Sequence, residues 1–335
     1  MRTNREIPPL SVAPMMEWTD RHFRYFLRRI TRHTLLYTEM ITAAAIIHGD
    51  RDHLLAFHPD EHPLSLQLGG DNPEQLARAV EIAEGYGYDE YNLNVGCPSE
   101  RVQSGNFGAC LMADPPLVAR LLEAMRSSTA KPVTVKHRIG IDGRESYGEM
   151  LDFVDVLADS GVRRFTVHAR IAVLGGLSPK QNRTVPPIRY EDVYRLKGER
   201  PHLTVELNGQ VRTVAEIHEH LKHVDAVMLG RAAYENPWLL AAADREFFPD
   251  APAAPGAGSA LTRIQVAEAM YPYLDALEAS GRPVRPVFTH MLGLFGGCPG
   301  ARRWRRSLSG RLPDLPAREL LRNALQHVDS SVRAE

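Results

Sequence analysis

Cysteine is scarce: three residues, at positions 97, 110 and 298, in a chain of 335. An odd count at such wide spacing supports neither a disulfide framework nor a zinc ribbon, so each thiol is read alone. Long apolar runs are also missing. No window approaches ~18 uninterrupted apolar residues, which argues against a membrane-spanning helix. The polar start, Met1 to Pro9, lacks the apolar core of a signal peptide, and a cytoplasmic location is expected. Two histidine clusters (His48, His53, His58 and His62; His218, His220 and His223) lack the helical pattern of two histidines and an acid, so no metal is expected. Net charge is nearly absent, at −1, which alone disfavours a nucleic-acid binder. The distribution says otherwise. From Leu261 to Glu335 there are eleven arginines, no lysine and seven acidic residues, leaving the tail four positive charges and the rest of the chain five negative ones. Arg302-Arg303-Trp304-Arg305-Arg306 concentrates that charge.

What is present is an alternation of β-branched runs with amphipathic stretches. Strands are expected at Leu10–Met15, Leu35–Met40, Leu64–Leu68, Glu90–Val95, Val133–Arg138, Arg164–His168, Thr204–Asn208 and Ala226–Gly230. Helical patterns follow at Pro73–Glu84, Pro115–Ser128, Tyr147–Ser160 and Val214–Leu221, while Ile41–His62 is irregular. Eight such units predict a closed TIM (β/α)8 barrel rather than an open sheet. The segment Phe247 to Ser259 is rich in Pro, Gly and Ala and reads as a linker. Beyond it, Leu261–Ser280, Val284–Phe295, Ala301–Ser309 and Pro316–Ser330 predict a small α-helical domain. The expected division is a barrel over 1–248, a linker over 249–260 and a helical domain over 261–335.

Chemistry-bearing residues gather at the carboxyl ends of the strands, which in this fold line one rim. Asn94-Val95-Gly96-Cys97-Pro98 is the most specific local signal. A thiol is mostly protonated near neutral pH, so Cys97 on that rim is suited to donate a proton to a carbanion-like centre. Cys110 and Cys298 read as small buried residues. Lys136 ends an apolar strand and needs a partner there. It suits the anionic edge of a reduced flavin, a Schiff base, a phosphate, or a salt bridge with Glu39. Asn208-Gly209 and Gly230-Arg231 end strands seven and eight, where this fold commonly binds phosphate. His168 lies between them, either a core histidine or a neighbour of that phosphate. Leu177 to Arg183 is a polar loop with two cations, either solvated or suited to a nucleic-acid backbone. In the tail, Arg302 and Arg305 share a helix face, and Trp304 beside them suggests base stacking.

Taken together, Ala13-Pro14-Met15-Met16, Gln67, the NxGCP run around Cys97, Lys136-His137-Arg138-Ile139-Gly140, His168-Ala169-Arg170, Asn208-Gly209 and Gly230-Arg231 resemble the tRNA-dihydrouridine synthases. The order and spacing agree from Val12 to about Phe248, and LSPKQNR with MLGLFGGCPGARRWRR resembles the bacterial A-type branch, which acts on uridines 20 and 20a of the D-loop. The resemblance implies FMN in the barrel mouth, NADPH as reductant, and reduction of the uridine C5=C6 bond in tRNA, with no obligate protein partner. It implies that Pro14, Met15, Met16, Gln67, Lys136, His168, Asn208, Gly209, Gln210, Gly230 and Arg231 touch FMN, and that Cys97 is the proton donor. Asn94, Lys180, Arg183, Arg302 and Arg305 would contact tRNA. One departure is Gln210, where the family often carries a second glycine. The alternatives are another FMN barrel of the dihydroorotate dehydrogenase type, a flavin-free Schiff-base aldolase or isomerase using Lys136, and a non-catalytic tRNA-binding module.

Overall fold

A computed structural model describes residues 8–251 and 261–328. The first seven residues, most of the expected linker and the end of the last expected helix lie outside the described residues. Among those described, one compact unit comprises residues 8–16, Leu35–Phe57 and His62–Gly230; the other comprises Glu17–Thr34, His58–Glu61 and the residues from Arg231 onward.

The first unit is a closed parallel barrel of eight strands: β1 (Leu10–Val12), β2 (Leu35–Tyr37), β3 (Leu64–Gly69), β4 (Glu90–Val95), β5 (Val133–Arg138), β6 (Arg164–His168), β7 (Thr204–Asn208) and β8 (Ala226–Leu229). Each strand pairs with the next, and β8 returns to β1 in the register Ser11 against Met228. A two-residue strand, Ile41–Thr42, lies beside the end of β3. The six later strands fall within a residue of their expected bounds. β1 and β2 stop three residues early, and at β1 the physical reason is Pro14, which has no N–H to continue a ladder. The irregular Ile41–His62 resolves into that short strand, helices Ala43–His48 and Arg51–Leu55, and a 3-10 turn at Pro59–Glu61.

The period of two along each strand sorts side chains into a lumen and a shell. On β5, Val133, Val135 and His137 point outward and Thr134, Lys136 and Arg138 inward. On β4 the inward set is Glu90, Asn92 and Asn94. The shell residues Tyr91, Leu93, Val95, Val135, Phe165, Val167, Val205 and Leu207 are almost fully buried beneath the surrounding helices. Those helices carry their own start signals: Asn72 and Asp114 accept N-terminal amides, and Ser146 and Thr213 form capping boxes with Glu149 and Glu216.

The lumen floor is charged. Arg164 lies 3.1 Å from Glu90 and 3.0 Å from Glu206, all three within a few per cent of full burial. Ser11 and Thr166 each donate to Glu206 at 2.6 Å, and Tyr37, Ser65 and Thr134 donate to Glu90 at 2.8, 2.9 and 3.0 Å. Burial by itself lowers the Arg164 pKa, but Glu206, Tyr37 and Glu90 hold it above the usual range.

In the shell, His137 packs against Phe153 and Phe165 and donates from Nδ1 to the Arg138 carbonyl at 2.7 Å. Its Nε2 is buried with no partner among the described residues. Burial pushes its pKa down to about 4, so it folds neutral. Between that value and the ordinary ~6.5 of an unfolded histidine, the unfolded chain binds the extra proton. Stability from this residue is therefore complete above ~6.5 and falls as pH drops to about 4, by on the order of 3 kcal/mol. Thermal midpoints between pH 7 and pH 4 should show that acid slope, and His137→Phe should flatten it.

The second unit is helical. Asp20 caps Arg21–Arg28 through the His22 and Phe23 amides and lies 3.1 Å from Nε2 of the buried His290. Arg24 is paired with Glu61 at 2.7 Å. The expected helix Leu261–Ser280 is two helices, Arg263–Glu268 and Tyr271–Ala279, because Pro272 lacks the N–H that would continue the first into the second. Arg285–Met291 ends before Gly293, where a Cβ would stand 2.7 Å from the Glu235 carbonyl. Ala301–Ser309 agrees with expectation, and Ala317–Leu325 follows. No helix among the described residues is long and apolar enough to cross a membrane.

Candidate active site

The site is built where the inward residues of β3 to β7 reach the carboxyl rim. Asn94 stands beside Lys136 in register, Arg138 beside His168, and His168 beside Asn208. Residues far apart in sequence are thereby brought to one mouth.

Hydrogen bonds run from the floor to that mouth with a fixed direction. The Glu90 carboxylate can only accept, so Thr134 donates to it and accepts from Asn92 Nδ2 at 2.8 Å. Asn92 Oδ1 then accepts from Gln67 Nε2, and Gln67 Oε1 from Asn94 Nδ2, each at 2.8 Å. This leaves Asn94 Oδ1 to accept the backbone N–H groups of Gly96 and Cys97 at 3.1 and 3.0 Å. The turn carrying Cys97 is thus held by an amide whose orientation is set at the barrel floor. The half-buried Cys97 thiol donates to Ser99 Oγ at 3.5 Å. Below it, the Cys97 carbonyl accepts from Ala109 N at 2.9 Å, which ties the 3-10 turn Gly108–Ala113 to the site. Phe107, just before that turn, packs over Gly69 so closely that a Cβ there would stand 2.9 Å from its ring.

Two cations at the mouth have neutral partners. Lys136 Nζ donates to Asn208 Oδ1 at 3.1 Å rather than to a carboxylate. Asn208 Nδ2 is fixed in turn on the Met228 carbonyl at 2.8 Å. Burial, and then Arg138, push the Lys136 pKa down to about 8, so it remains mostly charged at neutral pH. Arg138 donates to three carbonyls: Gly96 at 2.9 Å, Ile171 at 2.9 Å and Asn182 at 3.0 Å. Burial lowers its pKa to about 10, which still leaves it a cation. On the floor the guanidinium is matched by carboxylates at hydrogen-bond distance; at the mouth the hydrogen-bond acceptors of the two cations are an amide and backbone carbonyls. His168 is kept neutral by burial and by Arg138 and Lys136, which push its pKa well below the ordinary value.

The other expected site residues are distributed as follows. Pro14 and Met15 are half-buried and Met16 is exposed after β1. Gln67, Asn94 and Asn208 are buried. Gly209 has φ 132 and Gln210 φ 57. Gly230 follows β8 with room for a Cβ, and Arg231 opens the helix Arg231–Glu235 of the second unit. Lys180 precedes and Arg183 ends the 3-10 turn Gln181–Arg183, which the buried Asn182 pins to Val173 and Leu177. Within the second unit, Arg302, Arg303, Arg305 and Arg306 are exposed on Ala301–Ser309, whereas Trp304 is fully buried against Phe295. The expectation that Trp304 stacks on a base is corrected: the indole faces the core one turn from Leu308, and its N–H meets the Met291 carbonyl. Arg138 and Asn182 had no assigned role from sequence. The signal for Arg138 was its position two residues after Lys136 on the same strand face.

A family model described as Dihydrouridine synthase (Dus) matches residues 11–327. The chain belongs to the dihydrouridine synthase family. Within this family of enzymes, it is 57% identical over 321 residues to a Synechocystis protein named tRNA-dihydrouridine(20/20a) synthase, covering 96% of this chain and 94% of the relative. Proteins of the same name from Vibrio parahaemolyticus and Salmonella typhi are 53% and 54% identical, covering 90% and 89% of this chain and 90% and 88% of their own lengths. Family membership gives the rim a chemistry to be read against: a thiol held on a fixed turn beside preformed positive charge.

Proposed function

We propose that the chain reduces the C5=C6 bond of D-loop uridines 20 and 20a in tRNA to 5,6-dihydrouridine, with FMN as bound cofactor and NADPH as reductant. The family is flavin-dependent. The observation that carries the reading is the placement of Cys97 on a turn fixed by Asn94, beside two cations whose hydrogen-bond acceptors among the described residues are neutral. That donor set suits an anionic, phosphate-bearing group. Pro14, Met15, Met16, Gln67, Lys136, His168, Asn208 and the turns Gly209-Gln210 and Gly230-Arg231 would hold FMN, which when bound supplies hydride chemistry renewed from NADPH. Cys97 would deliver a proton from Sγ to C5 of a uracil taken out of the stack. Asn94 would contact the nucleotide through its remaining amide hydrogen while its Oδ1 keeps the Cys97 turn in place. Lys136 would balance negative charge beside it. Lys180 and Arg183, with Arg302 and Arg305, would bind the tRNA backbone. Residues 1–248 would then serve as the FMN-binding catalytic domain and 261–335 as the tRNA-binding domain, joined by 249–260.

The test is anaerobic. The purified protein's flavin is reduced and mixed with tRNA lacking dihydrouridine, and absorbance near ~450 nm is followed. Rapid reoxidation by that tRNA but not by free uridine is expected. A flavin that stays reduced with tRNA but reacts with a small oxidised pyrimidine would favour a dihydroorotate dehydrogenase-type enzyme, and a colourless protein would sink both.

A further inference from the structure

The turn after β7 contains two consecutive residues with positive φ, Gly209 at 132° and Gln210 at 57°. Glycine at 209 is required by the backbone and by crowding, since a Cβ would stand 3.1 Å from the His168 ring. Gln210 is different. It is an ordinary L residue in the left-handed region, a conformation such residues avoid unless the surroundings impose it. Its side chain shows what imposes it. Gln210 Oε1 accepts a hydrogen bond from Arg170 Nη2 at 2.7 Å, and Arg170 Nη1 donates to the Pro186 carbonyl. Arg170 is itself fixed by its backbone: its carbonyl accepts from Ile139 N at 3.2 Å, and its N–H donates to the His168 carbonyl at 2.6 Å. The same turn is held from its other side by Tyr190, whose hydroxyl donates to the Gly209 carbonyl at 2.8 Å.

We infer that the Arg170–Gln210 side-chain bond is a positioning device that holds the turn after β7 in the left-handed conformation needed to cradle a ligand phosphate, replacing the freedom a glycine would supply at 210. Neither residue needs to reach the reacting atoms for this. The inference rests on the proposed FMN reading and goes beyond it by assigning this chain's Arg170 to phosphate affinity. It predicts a pattern that simple loss of structure does not give. Alanine at 210 keeps the Cβ and loses the anchor, whereas glycine loses both anchor and steric constraint.

The test measures equilibrium binding of FMN and of riboflavin to flavin-free protein by quenching of flavin fluorescence. Gln210→Ala is expected to weaken FMN binding about tenfold. Gln210→Gly should stay within about threefold of wild type. Riboflavin, which has no phosphate, should bind each variant as it binds wild type. Arg170→Met should weaken FMN binding in the wild-type background and much less in the Gln210→Gly background. Equal losses in the alanine and glycine variants, no loss in either, or a parallel loss of riboflavin would overturn the device. Wild-type protein that binds neither flavin would overturn the FMN reading and the device with it.

Discussion

Cys97→Ala should leave reduction of the bound flavin by NADPH within about twofold of wild type and slow the reaction of the reduced enzyme with tRNA by about 10²–10⁴-fold. The asymmetry follows from where the thiol sits. Cys97 is on the turn after β4, held through its backbone N–H by Asn94 and through its carbonyl by Ala109. Neither bond uses the side chain, so removing Sγ leaves the turn intact. What is lost is the proton donor, whose thiol donates to Ser99 Oγ at 3.5 Å. Stopped-flow measurement of the two half-reactions separates the effects. Equal rates of flavin oxidation by tRNA in both proteins would remove Cys97 from the proton-transfer role, whereas slowing of both half-reactions would point to a disturbed flavin site.

The second large effect is on stability. Arg164→Met removes the cation between Glu90 and Glu206 and leaves two carboxylates facing each other in the lumen. Breaking such a buried cluster by deleting one partner costs about 3–5 kcal/mol. For a barrel of this size that corresponds to a fall in the thermal midpoint on the order of 10 °C. Glu206→Gln in the same background should recover part of the loss at neutral pH. A midpoint for Arg164→Met within a degree of wild type would show that the hydroxyls of Ser11, Thr166, Tyr37, Ser65 and Thr134 satisfy the carboxylates without help.

The two predictions are connected by the hydrogen-bonded relay Glu90–Thr134–Asn92–Gln67–Asn94, which ends on the Cys97 amide. Its members were visible individually as polar residues alternating with apolar ones along β3, β4 and β5. That they join into one directed chain was not visible, because the joins cross strands.

Much of the barrel is determined by the sequence alone. β-branched runs alternating with amphipathic stretches identified six of eight strands to within a residue, because a strand buried beneath helices must be apolar on its outer face. The motifs at the strand ends identified Cys97, Lys136, His168 and Asn208 as rim residues by the same logic. Tertiary structure alone decided the rest. It placed Trp304 in the core, since the arginines on either side of it say nothing about which helix face meets Phe295. It grouped Glu17–Thr34 with the helical tail, a long-range choice made by packing rather than local pattern. It matched Lys136 to Asn208 instead of Glu39, because strand register sets which side chains stand across the lumen. And it held Gln210 in a conformation its own sequence disfavours, because Arg170, forty residues earlier, supplies the bond that keeps it there.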